Sequence, residues 1–167
     1  MSHAGGGVPD TADGVRAFNA ELDRQLRALA DRIDPSRLHD DPGGGEWTLA
    51  ENLAHIAEFP AWFANDLVAQ MREERPVVGR THDHPDRLAA IAAAADRSLD
   101  DLRAELDASL DRLTAVLEEL RDEHIDKLAQ NRKYGPEPLR TFLDRYVLGH
   151  KAAHVDQLRR TIEAVQR

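Results

Sequence analysis

Apolar residues recur every three or four positions along four stretches of this chain, the spacing that gathers side chains on one face of an α-helix. Between Thr11 and Ile33 the stripe is Val15, Phe18, Leu22, Leu26, Leu29 and Ile33. The Asp34-Pro35 pair closes it, because a residue before proline is driven out of the helical region. The loop DDPGGGEWT follows. Thr48 then stands as an N-cap with Glu51 three residues on, the arrangement of a capping box. The second helix carries Leu49, Leu53, Ile56, Pro60, Phe63 and Leu67. Pro60 lacks an N–H, so a kink is expected there rather than an end. The pattern fades near Arg75-Pro76.

GRTHDHPDR reads as a loop, and residues 86–96 as a short helix of weak amphipathicity. Ser98 caps a long helix whose stripe is Leu99, Leu102, Leu106, Leu110, Leu113, Val116, Leu117 and Leu120. Residues 122–136 form a turn ending in KYGP at 133–136. The last helix starts near Pro138 and carries Leu139, Leu143, Tyr146, Val147, His150, His154, Leu158, Ile162 and Val165. No alternating β pattern of useful length and no internal repeat is visible. Four long helices with one apolar stripe each predict an all-α fold, an up-down-type four-helix bundle. The long connection between its second and third helices carries the short extra helix. That connection leaves room for an overhand link and for a pocket at one end of the bundle. Residues 1–10, glycine-rich and poor in apolar side chains, predict a flexible tail. Residues 11–167 predict one domain, as a chain of 167 residues allows.

Composition narrows the partners. With 32% charged and 5% aromatic residues, the core must be built from Leu, Ala, Val and Ile. A net charge of −9 repels phosphate backbones, and no block of Lys or Arg offsets it, so nucleic acid is not expected as a partner. The absence of cysteine removes disulfides, thiolate ligands and a cysteine nucleophile together. No run of about 18 apolar residues suggests a membrane span. MSHAGGGVPD has neither the basic start nor the apolar run of a signal peptide, so a cytoplasmic location is expected. Ala104, Ala108 and Ala115 spill beyond the stripe of the third long helix and would suit a homodimer contact; small residues on a solvated face are the simpler reading.

The chemistry concentrates in LGHKAAHVDQL, residues 148–158. His150 and His154 lie one turn apart, about 5–6 Å at Cβ on a helix. Two imidazoles so placed can aim at one ion, which needs bonds of about 2.0–2.1 Å. His55, beside the inward-facing Ile56, is a third candidate from the second helix. Three histidines would leave coordination positions open for water or substrate. A lone histidine on an apolar face is more often structural, and chance i, i+4 pairs are common. Burying several unpartnered imidazoles is nevertheless costly for each unpaired nitrogen, which favours a purpose. Ligand histidines must be deprotonated, so metal affinity is expected to fall below about pH 6.5. HKAAH is not the zincin HExxH, because Lys151 occupies the place of the general-base glutamate. A di-iron carboxylate centre, a P-loop, GxGxxG and a nucleophile elbow are all missing. His82 and His84 could form a second, weaker site in the THDHPD loop. His3, His39 and His124 have no partner in view.

Three local patterns together carry a resemblance: WTLAENLAHI with Trp47, Thr48 and His55; the KYG turn; and LGHKAAHVDQL with Gln157 after the histidine pair. Over roughly residues 11–165 the chain resembles the DinB-like (YfiT-like) four-helix-bundle family. The resemblance implies a divalent metal, zinc or nickel, held by His55, His150 and His154. It also implies a small-molecule substrate, with a low-molecular-weight thiol such as mycothiol or bacillithiol as co-substrate of an S-transferase. In that chemistry the cation holds the thiol as thiolate. A metal-dependent hydrolase, with bound water acidified instead, is the alternative; a non-catalytic metal- or small-molecule-binding bundle is another. The Ala, Arg and Asp richness matches a high-GC bacterium, where mycothiol is the expected thiol. Candidates for a general base or for a carboxylate supporting a ligand histidine are Glu51, Glu58 and Asp156. Tyr146, one turn before His150, could donate to a substrate, although packing with a wet hydroxyl is preferred. Trp47 is expected to anchor its loop.

Overall fold

The computed structural model describes residues 7–167; His3 and the rest of residues 1–6 lie outside the described residues. Within the expected tail, Val8 packs against the core and Asp10 pairs with Arg140 at 2.7 Å. Helix α1 is Ala12–Asp31, capped by the Thr11 hydroxyl, which accepts from Gly14 N–H. Helix α2 is Leu49–Arg72 and opens on the capping box of Thr48 and Glu51. It runs through Pro60, and the N–H of Ala61 donates to Ser109 Oγ at 3.0 Å. The short helix α3, Pro85–Ala93, buries none of its residues. Helix α4, Leu99–Leu117, is capped by Ser98. The last rod is composite. It comprises α5 (Leu139–Phe142), a π-helical stretch (Leu143–Leu148) and α6 (Gly149–Val165).

Cross-helix contacts give the directions. Arg16 near the start of α1 donates to Leu117 O and Leu120 O at the end of α4, whereas Arg103 near the start of α4 donates to Ala30 O; these two helices are antiparallel. Ala61 meets Ser109 and Arg72 meets Glu119, so α2 and α4 run parallel. His55 meets His150 while Asn52 meets Thr161, so α2 opposes α6. The result is an up-down-down-up four-helix bundle. The long connection after α2 is what permits it, because parallel neighbours need a return crossing. The core is a single cluster dominated by leucine, with Phe59 and Phe142 fully buried.

Two features depart from the periodic reading. The region expected to be only loop and turn contains a small sheet, β1 (Val77–Val78), β2 (Leu128–Asn131) and β3 (Gly135–Pro138), in the order β1-β2-β3. β1 pairs parallel to β2, and β2 forms an antiparallel hairpin with β3 across the KYG turn. Strands of two to four residues are too short for alternation to show, and the prolines of β3 are tolerated because it is an edge strand. The second departure is the π-helical stretch. A Cβ on Gly149 would meet Asp144 O at 2.3 Å, so the wide turn requires glycine at its end. The exposed Ala104, Ala108 and Ala115 lie on the outer surface of α4.

Candidate metal centre

The three histidines come from facing rods, α2 and α6. His55 sits on the second turn of α2, behind a firmly capped N-terminus. His150 and His154 occupy the first turns of α6, immediately after the wide turn. His55 Nε2 lies 3.2 Å from His150 Nε2, and His154 Nε2 lies 3.2 Å from the same atom. One ligand atom from each ring falls within 4.8 Å of the others, and among the described residues no other group of three histidines or carboxylates is so placed. Bonds of about 2.0–2.1 Å at tetrahedral angles put ligand nitrogens about 3.3 Å apart. The spacing fits one cation.

Burial supplies a second test of fit. It pushes His55 down to about 2, helped by His154 and His150. Burial and then His154 push His150 down to about 3. His154 falls to about 4, again through burial, against an opposing contribution from Gln157. Three neutral rings therefore direct nitrogens at a common point, where hydrogen bonding among them cannot satisfy every lone pair. The outer Nδ1 atoms of His55 and His154 are buried without a hydrogen-bond partner. A cation at the common point would resolve the inner conflict. The same burial favours the neutral form of each ring and so acts against its protonation in mild acid.

The surroundings sort the other candidates. Phe59, fully buried, meets His150 edge-on at 4.4 Å. Trp47 does more than anchor its loop: it stacks parallel to His154 at 6.4 Å and meets His55 at 5.3 Å, walling the triad. Glu51 is used by the capping box, its carboxylate accepting from Thr48 N–H at 2.8 Å. Asp156 pairs with Arg159 at 2.9 Å. Glu58 is the carboxylate nearest the triad, with Oε2 4.0 Å from His55 Nδ1, and Arg80 grips both of its oxygens. Tyr146 is among the residues lining the cavity, but it is buried, packs on Phe63 at 4.8 Å, and its hydroxyl oxygen is engaged. Asn131 donates to that oxygen at 3.0 Å, which leaves its proton free. His82 lines the cavity; His84 caps α3 by accepting from Asp86 N–H, and neither joins a second cluster of metal-ligating groups. His39 is exposed, and His124 accepts from Arg121 N–H within its own turn.

The periodic reading missed the cavity wall. A cavity of about 100 Å³ beside His55 and His150 is lined by Arg80, Arg87, Lys133, Tyr134 and Arg145. Arg80 and Arg87 come from the loop and helix after α2, the other three from the β2–β3 hairpin and the π-helical stretch. Gly79, at φ +87°, lets the first loop pass within contact of Asn131 and the Tyr146 hydroxyl.

A sequence model of the DinB superfamily matches residues 20–158. The chain belongs to the DinB superfamily. No curated protein is similar enough in sequence to count as a relative. Among solved structures, this DinB chain is similar to YfiT from Bacillus subtilis, reported as a probable metal-dependent hydrolase with an unusual four-helix bundle topology. The TM-score is 0.74 at 18% identity, covering 91% of this chain and 86% of that one. It is also similar to a mycothiol-dependent maleylpyruvate isomerase, with a TM-score of 0.64 at 16% identity over 92% of this chain; it spans only 59% of the isomerase. An uncharacterized protein from Clostridium difficile 630 shares the fold at a TM-score of 0.68 and 15% identity, with 93% and 98% covered. At these identities the likeness is one of fold.

Proposed function

We propose that the chain is a metal-dependent enzyme that binds zinc or nickel through His55, His150 and His154 and transfers a low-molecular-weight thiol, mycothiol or bacillithiol, to a small electrophile. The observation that carries this reading is the convergence of three Nε2 atoms, two of the separations being 3.2 Å. A divalent cation in such a site supplies Lewis acidity, which lowers the pKa of a thiol or a water and makes either nucleophilic near neutral pH.

The chain's own groups do the rest. Trp47 and Phe59 shield the rings on their apolar sides, which keeps the imidazoles neutral and the surroundings low in dielectric. Glu58, held by Arg80, lies behind His55 where a small shift would let it accept from Nδ1–H and orient the ring. Tyr146, a cavity-lining residue whose oxygen already accepts from Asn131, would donate its hydroxyl proton to an oxygen of the substrate. The isomerase named above, with its thiol dependence, supports the thiol reading. Hydrolysis is the second reading, supported by the description given to YfiT; the same open positions would then serve water.

Elemental analysis of untagged protein, before and after reconstitution with zinc or nickel, tests the site. One equivalent per chain is expected at pH 7, falling to near zero in His150→Ala. Single-turnover assays then compare mycothiol, bacillithiol and no thiol, with a bimane electrophile and with an activated ester. Thiol-dependent adduct formation supports transfer, whereas thiol-independent ester cleavage supports hydrolysis. A wild-type stoichiometry near zero after reconstitution defeats the metal reading.

A further inference from the structure

The cavity beside the triad runs against the charge of the whole molecule. The chain carries 31 acidic and 22 basic residues. Four permanent cations nevertheless line this one cavity, Arg80, Arg87, Lys133 and Arg145, and no carboxylate does. Two of the four are already neutralised. Arg80 binds both oxygens of Glu58, and Arg145 Nη1 contacts both oxygens of the buried Glu137 at 2.7 Å. The other two have no ion pair among the described residues. Arg87 donates one hydrogen bond to His82 O at 2.7 Å and lies over the Trp47 ring at 5.3 Å. Among the described residues the Lys133 ammonium meets only the Tyr134 ring, 5.2 Å from its Nζ.

We infer that Arg87 and Lys133 form an anion subsite that binds the carboxylate or phosphate end of the substrate beside His55 and His150. This rests on the proposed function for calling the ligand a substrate. The physical reason is that an unpaired, partly desolvated guanidinium beside a second one gains most from an added anion. Burial, and then Arg80, already disfavour the charge on Arg87. A guanidinium fork accepts carboxylate or phosphate oxygens in pairs, while an ammonium adds an adaptable point charge. Ligand cavities commonly run about 300–1,000 Å³. One of about 100 Å³ admits the charged end of a molecule and leaves the remainder at the mouth. The two cations come from the start of α3 and from the β2–β3 hairpin, so the subsite exists only when both loops are in place. An anion there would sit next to the open side of the triad, orienting the substrate's electrophilic carbon toward it.

The test uses the full-length, metal-free protein, so that it does not depend on the metal reading. Succinate, inorganic phosphate and uncharged succinamide are titrated separately at low ionic strength, followed by amide chemical shifts and calorimetry. Saturable binding of succinate or phosphate is expected, and the tighter of the two names the anion class. Affinity should fall at least about tenfold in Arg87→Gln and in Lys133→Gln, and should weaken with salt as screening requires. Arg24→Gln, on an exposed pair of α1, should leave it unchanged. Thermal melts of each variant establish that the fold is retained. Equal binding of succinamide overturns the subsite, as does binding undiminished in the Arg87→Gln/Lys133→Gln double variant, or no saturable binding of either anion. Anion binding without metal uptake would defeat the metal reading alone. Metal uptake without anion binding would defeat the subsite alone.

Discussion

Acid should unfold the metal-free protein through three side chains, and by an amount the structure lets one work out. In the folded state burial holds His55, His150 and His154 at about 2, 3 and 4. In the unfolded chain each returns to about 6.5. From pH 7 to pH 5 the unfolded state therefore binds more protons than the folded state, and stability falls as pH falls. Each histidine contributes about 2 kcal/mol over that interval, so the three together withdraw about 6 kcal/mol. Small domains are stable by only about 5–15 kcal/mol in total, which makes this a decisive share.

Urea unfolding at pH 7 and pH 5 in the presence of a chelator measures the difference directly. The reference is a His55→Gln/His150→Gln/His154→Gln variant, in which every other titration is common to both proteins. The wild type should lose about 6 kcal/mol more than the variant between the two pH values. Equal losses, within about 1 kcal/mol, would mean that the rings are not buried neutral and that the triad geometry is wrong. Saturating zinc at pH 7 should raise the wild-type midpoint and leave the variant's unmoved.

Three further outcomes follow from individual contacts. Glu58→Gln should weaken zinc binding about 10- to 100-fold, read by competition with a chromophoric chelator, because it removes the charge behind His55. Lys151 is fully buried, with its Nζ bound to Asp23 and to Asn19 Oδ1 at 2.6 Å. Lys151→Met should therefore cost about 3–5 kcal/mol in urea unfolding by stranding Asp23, and adding Asp23→Leu should recover most of it. Gly149→Ala forces a Cβ against Asp144 O and should cost about 1–3 kcal/mol while weakening zinc binding, since His150 follows directly.

How much of this was legible in the sequence depends on what each feature is made of. The four long stripes were readable because a helix buries every third or fourth side chain over many turns, and Val15 to Leu29 or Leu99 to Leu117 repeat that signal often. The capping box of Thr48 and Glu51 was readable because it is local chemistry. His150 and His154 could be paired because four residues make one turn. His55 stood as a third candidate because it lies beside the inward-facing Ile56 on another helix, and the resemblance strengthened its link to His150, 95 positions further on. Lys151 was noticed for the glutamate it replaced in HKAAH, whereas its partner Asp23 lies 128 positions away and no periodicity connects them. The sheet was invisible because two to four residues cannot display alternation.

The cavity wall is the most instructive loss. Arg87 and Lys133 belong to segments that look like ordinary polar loops, and each alone would be read as a solvated cation. What makes them a site is the parallel pairing of Val77-Val78 with Gln130-Asn131, which seats the first loop beside the hairpin. Gly79 enables the approach, because any Cβ there would strike Asn131 and Tyr146. The π-helical stretch completes it from the third side by holding Tyr146 and Arg145 toward the cavity while handing His150 to the triad. Two short strands and one wide turn therefore convert unremarkable loop residues into a charged wall facing three neutral rings. On the proposed function, charge selection would reside in the elements with the weakest sequence signal, and the reacting centre in those with the strongest. A change of substrate would then need alterations only in α3, the loop before it and the hairpin, without disturbing the bundle that holds His55, His150 and His154.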